Sequence, residues 1–368
     1  MESPLQALFL EAAAALMAQP ASPYFEERTR AAALEFCQRH GLAARFDAFG
    51  SLLAECGGDS SALPVVLAAH LDHPGFLVEA KNAGGEWPAT FLGGVSKEYI
   101  QPGVPILLLP GEVPGTVARV LDGEGKVVAL RPHAPAEGPF THAVWDLPAF
   151  LLEGDRLAGR ACDDLVGCAV ALAVLATLRR EGVQGRFIAV LARAEEVGFQ
   201  GAIMVAKEGA IPANSLVISL ETSKEIPPVA MGGGVILRVG DRASIFDSAA
   251  TRFLGEVAAD MAKPGPFRHQ RALMSGGTCE ASAYQEYGYR SAALCVALGN
   301  YHNCGAENQI QPEFVSLADA VGMGRLLLEA CRRHAEFDSL AGRLRGRMKK
   351  LEEEGRLLLA KHPLSPGP

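Results

Sequence analysis

Five side chains of metal-ligand type stand far apart in this chain: His70, Asp163, Glu196, Glu221 and His302. Four of them follow or close an apolar run that reads as a buried strand: PVVLAAH, FIAVLARAEE, LVISLE and AALCVALGNYH. Open α/β sheets bind ligands outside the carboxyl ends of their strands, so groups delivered there repeatedly point to one shared site. Asp163 comes just ahead of an apolar helix, in GRACDDLVG. Two imidazoles and three carboxylates suit zinc or a similar first-row ion, and suffice for two ions sharing a carboxylate. The chemistry they point to is metal-assisted hydrolysis.

Taken singly, each motif has a plainer explanation. In His70-Leu-Asp72 the two polar side chains share one face of a strand end, because side chains alternate with period 2. Asp72 could accept the second ring N–H of His70, or both could face a metal, or His70 could be a satisfied strand-end histidine. His73 points the other way and is the weaker candidate. Asp163-Asp164 could cap the following helix, although capping accounts for one Asp better than two. Glu195 and Glu196 are adjacent and cannot face the same way. One could bind metal while the other moves a proton, or the pair could simply be solvated. Glu221 could be a solvated strand end, and His302, in GNYHNCGAEN, a loop histidine. Gly276-Gly277-Thr278 is either a tight turn or a place where backbone approaches substrate.

The elements that must position these groups alternate between strand and helix. Helices are expected at 4–18 and 24–39, and strands at 44–46 and 64–71. From 76 to 154 the chain becomes short β-like runs broken by Gly and Pro, without helical periodicity, which reads as an inserted barrel or sandwich. Beyond 155 come a helix at 164–180, a strand at 186–194, a helix after Gly198, a strand at 215–221 and a β-rich stretch near 234–240. A helix at 247–262, a loop, a helix at 279–287, a strand at 291–298 and a helical 314–360 complete the pattern. The expected fold is α/β, a mixed central sheet flanked by helices with an inserted small all-β domain. The expected division is 1–75 and 155–368 for the α/β catalytic part and 76–154 for the insert.

The 368 residues suit two domains, and a net charge of −8, from 34 Lys+Arg against 42 Asp+Glu, disfavours binding to nucleic acid. Eight scattered cysteines without a Cys-x-x-Cys pair argue for a reducing cytoplasm over a disulfide framework. The apolar start lacks a basic leader and is interrupted by Glu11, so it reads as an amphipathic helix. The run Leu165 to Leu178 is a core helix too short to span a bilayer, so no membrane association is expected.

The stretches AAHLDHPGF, RACDDLVG, ARAEEVGFQGA, SGGTCEASAYQEYG and GNYHN resemble the tetrahedral (TET) and glutamyl-aminopeptidase family of dinuclear metallopeptidases. The resemblance implies that His70 and Glu221 bind one ion, Glu196 and His302 the other, with Asp163 bridging. It also implies Glu195 as general base and Asp72 as the residue orienting His70. His73 stands where the family usually has Glu, Glu221 where it usually has Asp, and Leu165 where it usually has a basic residue. The implied activity is removal of N-terminal residues from short peptides by a water activated between two divalent ions, with zinc the default and cobalt or manganese alternatives. The family assembles as dimers or twelve-subunit shells, so a homo-oligomer is expected. Competing readings are a deacylase of N-acyl amino acids on the same fold, a metal-free glycosidase using the paired acids, and a non-catalytic assembly protein.

Overall fold

The computed structural model describes residues 3–58 and 62–364. Its centre is an eight-stranded sheet, in the order Ala43–Phe46, Leu52–Gly57, Arg186–Ala192, Val65–His70, Leu216–Lys224, Arg290–Leu298, Val235–Gly240 and His269–Leu273. The four middle strands run parallel, and antiparallel partners flank them on both sides. These strands read as continuous apolar runs because both faces are covered. Along Val65–His70 the odd positions Val65, Leu67 and Ala69 pack into the layer with helix Leu165–Glu181. Val66 and Ala68 pack oppositely, with Ala202, Val205 and Tyr284.

Helix Leu165–Glu181 is the spine of the larger layer, and every residue from Leu165 to Leu178 is buried. Asp164 caps it by accepting the Gly167 amide at 3.1 Å. Gly182, at φ 64°, ends it in the left-handed conformation, where its N–H reaches the last carbonyls. Helix Pro4–Met17 lies against it and buries Leu5, Leu8, Phe9, Ala12, Ala13, Leu16 and Met17.

A closed six-stranded barrel follows, built from Gly75–Val78, Trp87–Leu92, Val127–Pro132, Val113–Val120, Pro105–Leu109 and His142–Trp145. Closure leaves no free strand edge. Its core is aromatic: the rings of Phe76 and Phe91, and of Phe76 and Trp145, sit edge to face with centroids 5.0 Å apart. The fold class read from the sequence, a mixed α/β sheet with a small β insert, is the one observed.

Three local expectations are corrected. The strand expected to stop at 221 continues to Lys224, its polar residues pairing with Val296–Leu298. The stretch after 262, expected as a loop, contains strand His269–Leu273, whose polar residues suit an edge position beside Val235–Gly240. The helical stretch expected from 314 begins instead with strand Glu313–Ser316, which pairs with Arg156–Gly159. Helices Leu317–Arg332, Phe337–Ala341 and Arg343–Lys361 follow it.

Candidate metal centre and cleft

His70, Asp163, Glu195, Glu196, Glu221 and His302 line one cleft of about 490 Å³, at the carboxyl ends of the parallel strands. Asp163 is the hub. Its Oδ1 lies 3.5 Å from His70 Nε2 and its Oδ2 3.6 Å from His302 Nε2. His302 Nε2 is also 3.3 Å from Glu196 Oε1. Three triads, His70–Asp163–Glu221, Asp163–Glu196–His302 and His70–Glu195–Glu196, bring one ligand atom per residue within 4.8 Å of one another. Asp163 is common to the first two.

The segments carrying these groups are tied down through their backbones. His70 is the last residue of its strand, and its Nδ1 is 3.0 Å from the carbonyl oxygen of Asp72. The Asp72 carboxylate, 3.8 Å from the same ring nitrogen, does something else. It accepts the amides of Glu195 at 2.9 Å and Glu196 at 3.1 Å, so Asp72 fixes the loop after strand Arg186–Ala192. It is thus the Asp72 main chain, rather than its side chain, that sits nearest the His70 ring.

Glu26, fully buried, holds the same loop from the other side. It accepts the Ala194 amide at 3.1 Å and Arg193 Nε at 2.8 Å. Ala194 sits at φ 53°, and Asn300, His302 and Asn303 at 53°, 54° and 62°. Left-handed backbone at non-glycine residues costs energy and persists where surroundings enforce it, often at functional sites. The His302 ring is held by Gly94, whose carbonyl oxygen lies 2.8 Å from its Nδ1, and by Tyr301, stacked at 3.8 Å between centroids. Gly94 follows barrel strand Trp87–Leu92, so the β insert contributes directly to the site.

His73, by contrast, lies 2.7 Å from the Asp163 carbonyl oxygen and 2.8 Å from Asn303 Oδ1. It joins none of the triads. Asp164 caps its helix.

The electrostatics are those of crowded, desolvated acids. Burial pushes Glu195 well above the ordinary carboxylate range, and Glu221 and Glu196 nearby reinforce it. Burial takes Glu221 up to about 8 and Glu280 up to about 7. Burial also opposes charge on Asp163, but the His302 and His70 imidazoles beside it win and hold it below its usual value. Both histidines are raised: burial works against the imidazolium, and the surrounding carboxylates outweigh it. Asp163 Oδ1 and Glu221 Oε1 are buried without a hydrogen-bond partner among the described residues. Unpaired buried oxygens of this kind need positive charge, and a divalent cation fits that need.

Sequence reasoning missed several contributors. Glu26 and Glu313 act through backbone amides far along the chain, which leaves no motif. Arg238 was legible, an arginine inside the apolar strand VILRVG. It lines the cleft together with Lys224 and Arg242, and its Nη1 donates to Ser223 Oγ at 3.2 Å. Gly276, Gly277 and Thr278 line the cleft too.

Fold and site together describe an α/β protein with a buried acid–imidazole cluster able to bind metal. Comparison with known proteins narrows this. The M42 glutamyl aminopeptidase family model matches residues 138–307, a span holding Asp163, Glu195, Glu196, Glu221 and His302. A curated relative from Acetivibrio thermocellus, provisionally named an aminopeptidase, is 24% identical over 323 residues, covering 83% of this chain and 93% of its own. The TET aminopeptidase of a marine-sediment Thaumarchaeota archaeon shares the fold at a TM-score of 0.75 and 21% identity, over 88% of this chain and 97% of that one. The Pyrococcus horikoshii TET1 peptidase, which can assemble into a tetrahedron or a large octahedral shell, does so at 0.74 and 19%, over 88% and 99%. The resemblance to this family read from the sequence is borne out, and the family match supports a peptidase as the class of activity.

Proposed function

We propose that this chain is a metal-dependent aminopeptidase that removes N-terminal residues from short peptides. One observation carries the reading: Asp163 is shared by two triads, each with one imidazole and one further carboxylate. His70 and Glu221 would hold one ion, Glu196 and His302 the second, and Asp163 both. Bound there, divalent ions, zinc by ligand type or else cobalt or manganese, would supply Lewis-acid polarisation of the scissile carbonyl and the attacking water. Glu195 then has the character of a general base. It is buried, lies 3.9 Å from His70 Nε2, and sits on a backbone that Asp72 immobilises. It takes the water's proton and delivers it to the leaving amine.

The histidines within each triad favour this reading over a metal-free glycosidase, which needs two carboxylates alone. Lys224, Arg238 and Arg242 in the cleft favour an acidic side chain on the residue removed. Division into a catalytic part (1–75 and 155–368) and a barrel insert (76–154) belongs to the same proposal, as does a homo-oligomer of the kind TET peptidases form. A cytoplasmic setting is supported by eight free cysteines. Among the described residues no helix is long and apolar enough to cross a membrane.

The test is a metal-stripped preparation reconstituted with single metals and offered aminoacyl-nitroanilides beside N-acyl amino acids, with Glu195→Gln as control. Metal-dependent cleavage of the free-amine substrates, lost in Glu195→Gln while metal stays bound, is expected. Cleavage of the blocked substrates alone would make the protein a deacylase. Full turnover in the variant would remove Glu195 as the base.

A further inference from the structure

Helix Arg343–Lys361 is 19 residues long and buries none of them. Its first turns are tied to the body by ion pairs: Arg343 reaches Glu256 at 3.2 Å and Asp260 at 2.9 Å, and Arg347 reaches Glu256 at 3.2 Å. Leu344, Met348, Leu351 and Leu358 are exposed at 40, 50, 57 and 57%, and Leu357 and Leu359 flank the last of them at 66 and 75%. Their spacing of four, three and seven is that of a coiled-coil seam, with Gly355 completing the repeat. A polar helix standing away from its domain has no need of such a stripe. Something must cover it.

Its charges say what. Arg345, Arg347, Lys349 and Lys350 precede Glu352, Glu353 and Glu354. Laid antiparallel on a second copy, with Met348 opposite the partner's Leu351 and Leu344 opposite the partner's Gly355, the four charged flank positions from 345 to 354 find their opposites. Arg345 meets the partner's Glu352 and Arg347 meets the partner's Glu354, each twice by symmetry. A parallel in-register pair would match only Arg347 with the partner's Glu352 and would set the two basic halves side by side. The small Gly355 leaves space for Leu344 at the outer layers. We propose that Arg343–Lys361 is a self-association helix that pairs antiparallel with the same helix of another copy, in this register. The contact is separate from the β barrel and from the cleft, and does not depend on the catalytic reading.

Oxidative cross-linking of the full chain tests it. Leu344 and Gly355 lie roughly 16 Å apart along one helix, too far for an internal disulfide, whereas the register sets them face to face between copies. The double variant Leu344→Cys/Gly355→Cys should give a covalent dimer on mild oxidation at least tenfold faster than Leu344→Cys alone. Equal rates, no dimer, or faster linkage in a Leu358→Cys single variant (the parallel outcome) would overturn the proposal. Charge reversal adds an independent arm in the same cysteine background. Arg345→Glu/Arg347→Glu and Glu352→Arg/Glu354→Arg should each suppress linkage alone and restore it when mixed one to one. Failure to restore it on mixing would equally overturn the pairing.

Discussion

One oxygen of the Glu313 carboxylate accepts the backbone N–H of His302 at 2.7 Å. The other accepts the amides of Cys162 and Asp163 at 2.8 and 3.0 Å. A single fully buried side chain therefore sets the distance between the loop carrying the hub aspartate and the loop carrying a candidate ligand. Its own carboxylate belongs to none of the triads and acts through the main chain.

Glu313→Gln keeps the shape but offers one acceptor oxygen, and turns an NH2 group toward an amide that already donates. Supporting groups around metal ligands typically cost ~10- to 100-fold in metal affinity or activity when lost. Glu313→Gln is expected to weaken metal binding by about that factor, measured by competition with a chromophoric chelator, while the circular dichroism of the fold stays native. Metal affinity and turnover equal to the parent protein would show that the three hydrogen bonds are dispensable.

Asp72 does the same for the Glu195–Glu196 loop, and its effect should fall on the chemical step. Asp72→Asn leaves one of two amides unpaired and loosens the proposed base. The expected outcome is a kcat lowered by roughly 10- to 100-fold with KM changed much less, because displacing a catalytic group costs transition-state stabilisation more than ground-state binding. A raised KM at unchanged kcat would mean that Asp72 serves substrate binding instead.

The legible and illegible parts of this site divide along a physical line. His70 could be read because an apolar run ends in His-x-Asp, and side-chain alternation then fixes the neighbours' directions. Asp163 could be read because a helix N-terminus explains only one of two adjacent acids. Glu221 was identified as a candidate, but its position was misjudged: TSK looks like a strand's polar exit, yet those residues continue the ladder beside Val296–Leu298. Glu26 and Glu313 were invisible. Their targets are amides of Ala194, Cys162, Asp163 and His302, and a backbone N–H has no identity in a sequence. The edge strand His269–Leu273 escaped for a related reason: an edge position needs less apolar surface, so its pattern is weak.

The basic lining of the cleft gives a prediction about the substrate. Lys224 and Arg242 are exposed in the cleft, so their charge is available to a ligand. Peptides beginning with Glu or Asp should be cleaved with higher kcat/KM than those beginning with Leu, and raised salt should erode that advantage. Arg242→Glu should lower kcat/KM for acidic N-termini by about tenfold, on the order of 1.4 kcal/mol, and leave Leu substrates nearly unaffected. Equal losses for both classes would assign Arg242 to the structure of the cleft.

Burial makes a final prediction, about the thiols. It pushes Cys37 and Cys56 up to about 12 and Cys295 up to about 11, while Cys304 is half-buried. A raised thiol pKa depletes the reactive thiolate at any given pH, so at pH 8 a group at about 12 is ionised only on the order of one part in ten thousand. A disulfide-exchange reagent added to the native protein at that pH should react first at Cys304 and only slowly elsewhere, then with all eight thiols once denaturant is added. The sign for stability follows. The thiols are raised relative to the unfolded chain, so their contribution is intact below an unfolded pKa of about 8.5 and drains away as pH climbs toward the folded values. Denaturant midpoints should therefore fall above pH 9 and recover when the pH is returned. Rapid modification of several thiols at pH 8 in the folded protein would show that the core around Cys37, Cys56 and Cys295 opens more readily than its packing implies.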